Sequence, residues 1–115
     1  MAIHFNDTDS IRYVVIDGRL DGPESDAIGI KFSLLSNFQG GRMVVDISKV
    51  TFLASLGIRL LVVNAKNLKA HGGRMVLFVG DNESVAESLE ATGISALIPM
   101  FTNLSEANQA SLVSV

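Results

Sequence analysis

The sequence predicts an α/β fold in a single domain over residues 1–115, with a mixed β-sheet of about four to five strands and about four helices. Three observations carry this. Two near-continuous apolar runs, RMVVDI at Arg42–Ile47 and RMVLFV at Arg74–Val79, have the pattern of strands buried on both faces. Between them lies a helix-periodic segment closed by Gly72-Gly73, and such a strand-helix-strand crossover implies parallel pairing. The length, 115 residues of which 48% are hydrophobic, allows one compact core and is too short for two ordinary domains.

The remaining elements follow in chain order. IRYVVIDG, Ile11 to Gly18, is short, β-branched and closed by glycine, so it reads as a strand paired in a hairpin with AIHF before it. PESDAIGIKFSLLSNF, Pro23 to Phe38, places apolar residues at Ala27, Ile30, Leu34 and Phe38, a helical spacing opened by proline and ended by Gly40-Gly41. A short helix is expected from about Asn82 to Ala91, closed by Gly93, then a strand at ALIPMF and a last helix after Asn103. The final ASLVSV is expected to fray. No internal repeat, low-complexity segment or linker interrupts the chain.

Composition narrows function. A formal charge of -3, from 9 Lys+Arg against 12 Asp+Glu, gives no basic excess to neutralise phosphates, and a chain with no Trp and one Tyr has little with which to stack bases. Nucleic acid is therefore not the expected partner. The absence of cysteine excludes disulfides and thiolate metal sites and fits a reducing, cytoplasmic location. The start MAIHFNDTDS carries Asp7 and Asp9 in place of a basic n-region and long apolar run, so no secretory signal is expected. No apolar run approaches membrane-spanning length, and no direct membrane insertion is expected.

Catalytic motifs find little support. Gly40-Gly41 and Gly72-Gly73 follow helices and precede strands, the reverse of a phosphate loop. DGRLDGPESDAI has Arg19 and Ile28 where a calcium loop needs oxygen ligands. His4 and His71 fall on different elements without ligand spacing, so no metal is expected. Ser55 lacks the G-x-S-x-G context of a nucleophile. Neither catalytic residues nor a cofactor are expected.

The helix after Ser55 is more informative. At about 100° per residue, Ile58, Leu61, Val62, Ala65 and Leu68 form one stripe, expected to face the sheet. Leu56, Leu60 and Val63 form a second on nearly the opposite side, with Arg59 and Lys66 between the two. This second stripe either packs on a neighbouring helix or forms a partner surface. Ser55 reads as an N-cap, and Gly57 lets chains approach closely.

At VVDISKVTFLASLGIRLL the residues carry a resemblance. The segment resembles the signature of STAS domains, in which a strand ending in D-(L/I)-S leads through a short turn to D-S-(S/T)-G-L at a helix start. Asp46-Ile47-Ser48 matches the first part and Ala54-Ser55-Leu56-Gly57-Ile58 aligns with the second. GRLDGPES, Gly18 to Ser25, is similar to the family's G-x-L-D turn, and GGRMVLFVGDNESVAESLEATGI resembles its later strand-helix region. Order and spacing together suggest a single STAS-type domain over nearly the whole chain.

The resemblance implies a non-enzymatic switch of the anti-sigma factor antagonist type, expected in a bacterial cytoplasm. A serine-kinase anti-sigma factor of the GHKL type would phosphorylate Ser55, and a PP2C-type phosphatase would reverse it. The unmodified form would bind the kinase and free its sigma factor. Partner contacts would come from Asp21, Gly22, Ala54, Leu56, Gly57, Ile58, Leu60 and Val63. Ala54 stands for the family Asp, removing an acceptor and a charge beside the hydroxyl, and Leu56 stands for the Ser/Thr, making the rim more apolar. A second role open to the family is that of a non-phosphorylated STAS subunit in an ABC-type lipid transport complex.

Overall fold

The computed structural model describes residues 2–8 and 10–113. A hairpin opens the chain: β1 (Ala2–Asp7) pairs antiparallel with β2 (Arg12–Leu20), with Ile3 opposite Ile16 and Phe5 opposite Val14. Three further strands, β3 (Arg42–Leu53), β4 (Arg74–Phe78) and β5 (Met100–Phe101), add in parallel to give the order β1-β2-β3-β4-β5. The helices are α1 (Gly22–Ser36), α2 (Ser55–Ala70), α3 (Glu83–Glu90) and α4 (Leu104–Ser111), with a 3₁₀ turn at Ile94–Ala96.

The apolar pattern of β3 and β4 has its cause in two cores. On one face, Val14, Ile16, Met43, Val45, Ile47 and Leu77 meet Phe32 of α1, Leu61 and Leu68 of α2, and Leu89 of α3. On the other, Val44 and Val76 meet Ala107 of α4. Alternate residues of the two central strands are thus removed from water on opposite sides, as parallel strands require. Of the stripe expected to face the sheet, Leu61, Ala65 and Leu68 are buried, and Ile58 and Val62 are half-buried against the core.

Several local expectations change. α1 ends at Ser36, before Phe38 and the Gly40-Gly41 turn, where Gly40 takes φ 66°. Its buried face is Ile28, Phe32 and Leu35, while Ile30 and Leu34 of the sequence stripe are exposed. Phe38 instead packs under the Arg12 guanidinium at 4.5 Å. β3 does not end at Ile47 but runs on through SKVTFL, so no turn separates Asp46-Ile47-Ser48 from the helix region. The extension is possible because β3 carries two extra residues relative to β2: pairing steps from Val15–Asp46 to Asp17–Lys49, and from Gly18–Val50 to Arg19–Phe52. Asp46 braces the first of these bulges, its Oδ1 accepting the backbone N–H of Ser48 at 2.9 Å and the Ser48 hydroxyl at 2.6 Å. Its Oδ2 accepts the hydroxyl of Tyr13 from β2. Asn82 pins the same stretch from the α3 side, donating to the carbonyls of Ser48 and Val50 while capping α3 through Val85 N–H.

The expected ALIPMF strand shrinks to Met100–Phe101, because Ala96 belongs to the 3₁₀ turn, Leu97 and Ile98 donate back to Ile94, and Pro99 has no N–H to pair. In the terminal segment expected to fray, Ala110 and Ser111 belong to α4, and Ser111 is fully buried. Ser114 and Val115 lie outside the described residues.

Candidate functional site

The site grows from the end of β3. Leu53 makes the last pair with Leu20 of β2, and the next amide, Ala54 N–H, donates to the Leu20 carbonyl at 3.0 Å. The chain then turns directly into α2, whose first bond runs from Ile58 N–H to the Ala54 carbonyl at 3.1 Å. Ala54 is therefore the N-cap, in extended conformation and with no side-chain cap bond, and Ser55 is the first helical residue. This corrects the reading of Ser55 as a cap: the sheet holds Ala54 extended, and Ala54's carbonyl already receives the helix's first bond.

Two consequences follow for electrostatics. The amides of the first turn, Ser55, Leu56 and Gly57, have no intrahelical acceptor, and no side chain at the cap replaces one. The first turn also has no acidic residue, so nothing on the helix offsets the positive end of its dipole. Ser55 is exposed at this electropositive start.

The β2–α1 turn lies against the same start. Gly57 is buried, and a Cβ on it would come 2.6 Å from both Cγ and the carbonyl oxygen of Leu20, so only glycine lets α2 begin so near that turn. Asp21 follows Leu20 and accepts from Arg19 Nε at 3.2 Å. Arg19 in turn stacks over Phe52, 4.5 Å from its ring centre. Arg19, Asp21 and the 45% exposed Phe52 thus belong to one rim beside Ala54 and Ser55.

Of the residues expected to contact a partner, Asp21, Gly22, Ala54, Leu56 and Gly57 gather with Ser55 at the carboxyl end of the parallel strands. Leu56 and Val63 are exposed, Leu60 is half-buried, and Ile58 turns toward the core. The second stripe divides between its two readings, since Leu60 Cδ1 reaches toward Gly29 of α1 whereas Leu56 and Val63 do not become buried. Leu56, Leu60 and Val63 form one wall of a 630 Å³ groove whose other wall is Asp26, Ile30, Leu34 and Asn37 of α1. His4, on β1, and His71, whose Nδ1 is 2.8 Å from the Asn67 carbonyl after α2, lie on separate elements, as their spacing suggests.

The sequence reading missed Arg19 and Phe52, whose pairing depends on the β3 bulges, and the α1 wall. The signal for the wall was present in the helical spacing of Ile30 and Leu34, which marked the helix without showing which way it faces.

No curated protein matches the sequence. Among solved structures, an anti-sigma factor antagonist from Mycobacterium paratuberculosis is similar, with a TM-score of 0.84 at 20% identity over 96% of this chain and 92% of that one. The anti-sigma factor antagonist SpoIIAA in its unphosphorylated form is similar with a TM-score of 0.74 at 17% identity, covering 99% of this chain and 100% of that one. The Bacillus cell fate determinant SpoIIAA in its phosphorylated form gives 0.65 at 20% identity, over 95% and 99%. At these identities the likeness shows the fold. The family model for the STAS domain matches residues 2–107. With that match over nearly its whole length, and with its sheet order and helices in place, the chain belongs to the STAS domain family.

Proposed function

We propose that the chain is an anti-sigma factor antagonist that works by partner switching. It binds a GHKL-type serine-kinase anti-sigma factor while Ser55 is unmodified, releases it once Ser55 is phosphorylated, and is reset by a PP2C-type phosphatase. The chain acts by binding and needs no turnover of its own. The observation that carries this reading is the exposed Ser55 at a helix start with no side-chain cap and no acidic residue in its first turn, beside the exposed Leu56 and the Asp21 turn. Similar proteins with this fold are anti-sigma factor antagonists, and one has been solved in both unphosphorylated and phosphorylated forms.

The energetics favour a switch of binding over a switch of folding. A phosphate on Ser55 adds about -1.5 to -2 charges where dipole and amides stabilise an anion by ~0.3 to 1 kcal/mol at the surface. The fold accepts it. Enclosing the same group against a partner without matching donors costs about 2 to 5 kcal/mol, roughly 30-fold to several thousand-fold in affinity.

The test is capture of the partner from the source cell followed by phosphopeptide mapping after incubation with ATP. One phosphate on Ser55, placed by a captured GHKL kinase, supports the reading. Capture of an ABC ATPase with Ser55 unmodified replaces it with the lipid-transport subunit, a role that the Ala54 cap, lacking a carboxylate, also fits.

A further inference from the structure

The groove between α1 and α2 has a chemistry of its own. Ile30 and Leu34 on one wall are 78% and 69% exposed, and Leu56 and Val63 on the other are 53% each. Side chains this exposed are ridges beside an open channel, and such a channel suits an amphipathic helix better than a small molecule, which needs an enclosing pocket. Leu56 to Val63 spans about 10 Å of α2, two turns of a docked helix.

Charge selects among helices. α2 carries Arg59, Lys66 and Lys69 and no acidic residue, in a chain of net charge -3. Arg59 lines the groove, is exposed, and makes no ion pair among the described residues. On helical geometry it lies one turn from Ser55, Leu56 and Val63 at once. The groove's carboxylate, Asp26, belongs to the opposite wall. Of the three α2 cations only Arg59 lines the groove, beside Leu56 and Val63, so the α2 side is complementary to an apolar stripe carrying a carboxylate on that flank, while Asp26 faces it from α1.

We propose that this groove receives one amphipathic helix of a partner protein, its apolar stripe seated between Ile30/Leu34 and Leu56/Val63 and its acidic flank against Arg59. The inference rests on the reading that the start of α2 is the partner-facing end. It adds a mechanism to that reading: a phosphate on Ser55 stands one turn before Arg59, where it engages the guanidinium and opposes the incoming carboxylates.

Two synthetic helical peptides with the same leucine stripe, one flanked by Glu and one by Lys, test this by NMR titration of the full chain. The expected result is amide shifts at Ile30, Leu34, Leu56 and Val63 with the Glu peptide, and binding about 3-fold or more weaker with the Lys peptide. Arg59→Glu inverts the preference without lowering Tm, and phosphoserine incorporated at position 55 during synthesis weakens the Glu peptide by about 10-fold. Equal binding of both peptides, no binding of the Glu peptide, or shifts away from the groove overturns the proposal. So does self-association that moves the same residues without peptide, or binding to anionic vesicles in place of the peptide. No kinase enters this experiment. If the Glu peptide binds as expected but no kinase captured from the source cell places a phosphate on Ser55, the partner-switching reading falls and the groove stands.

Discussion

Gly57 and Leu20 are in closer register than any side chain would allow: a Cβ on Gly57 would lie 2.6 Å from the Leu20 carbonyl oxygen. That same carbonyl accepts Ala54 N–H, so one backbone group of the β2–α1 turn fixes both the cap and the first turn of α2. The relation holds the turn that carries Asp21 against the helix start that carries Ser55.

Gly57→Ala should therefore cost about 2 kcal/mol or more, because the obstacle is backbone and a fully buried Leu20. A drop in Tm of roughly 8 °C by calorimetry is expected. An unchanged Tm would mean that the turn and the helix start are not held together.

Asp46→Ala should destabilise by about 2 to 4 kcal/mol, since Asp46 is buried and its loss strands both the Tyr13 hydroxyl and the Ser48 amide. Urea unfolding checks this. Ser48→Ala, which removes only the hydroxyl and leaves the amide bonded to Asp46, should cost about 1 kcal/mol.

Tyr13 is the chain's single tyrosine, so its ionisation can be followed by absorbance. Burial first, then the hydrogen bond to Asp46 and that carboxylate's charge, hold its phenol above the ordinary value of 10.0. The native state keeps the proton to higher pH than the unfolded chain does. This contribution is full below the unfolded value and is lost as pH rises through the folded one. At about pH 11 the folded chain should show little tyrosinate and the urea-unfolded chain should be mostly ionised. Equal titration of the two would contradict the Tyr13–Asp46 bond.

Leu60→Glu and Leu56→Glu separate the two readings of the second stripe. Leu60 is half-buried and touches the space beside Gly29, so a carboxylate there should lower stability by about 1 to 3 kcal/mol. Leu56 is exposed, and its replacement should leave Tm within a degree or two while weakening partner binding. Thermal melts with a binding titration distinguish these outcomes.

Much of this arrangement was legible in the residues. The runs at Arg42–Ile47 and Arg74–Val79 read as two-faced strands because α1, α2 and α3 cover one side and α4 the other. Ser55 read as lying at a helix start because an apolar strand pattern meets a 3.6-residue pattern there. The length of β3 was not legible: Lys49 and Thr51 break the apolar run, and the bulges that keep the chain paired depend on Asp46, Tyr13 and Asn82 meeting in space. The outward face of α1 was hidden for a related reason. Ile30/Leu34 and Ile28/Phe32/Leu35 are two apolar sets on one helix, and periodicity alone cannot say which faces the sheet.

The central claim is that charge on Ser55 changes binding while leaving the fold intact. Its most direct measurement is the affinity of the proposed anti-sigma factor partner for wild type, Ser55→Ala and Ser55→Asp, paired with the Tm of each. The account predicts that Ser55→Ala keeps both affinity and Tm. Ser55→Asp should lose roughly 10-fold or more in affinity at an unchanged or slightly higher Tm, because a carboxylate suits the exposed start of α2 but must be desolvated in the complex. Ser55→Asp binding as tightly as wild type, or losing affinity only in step with a fall in Tm, would contradict it.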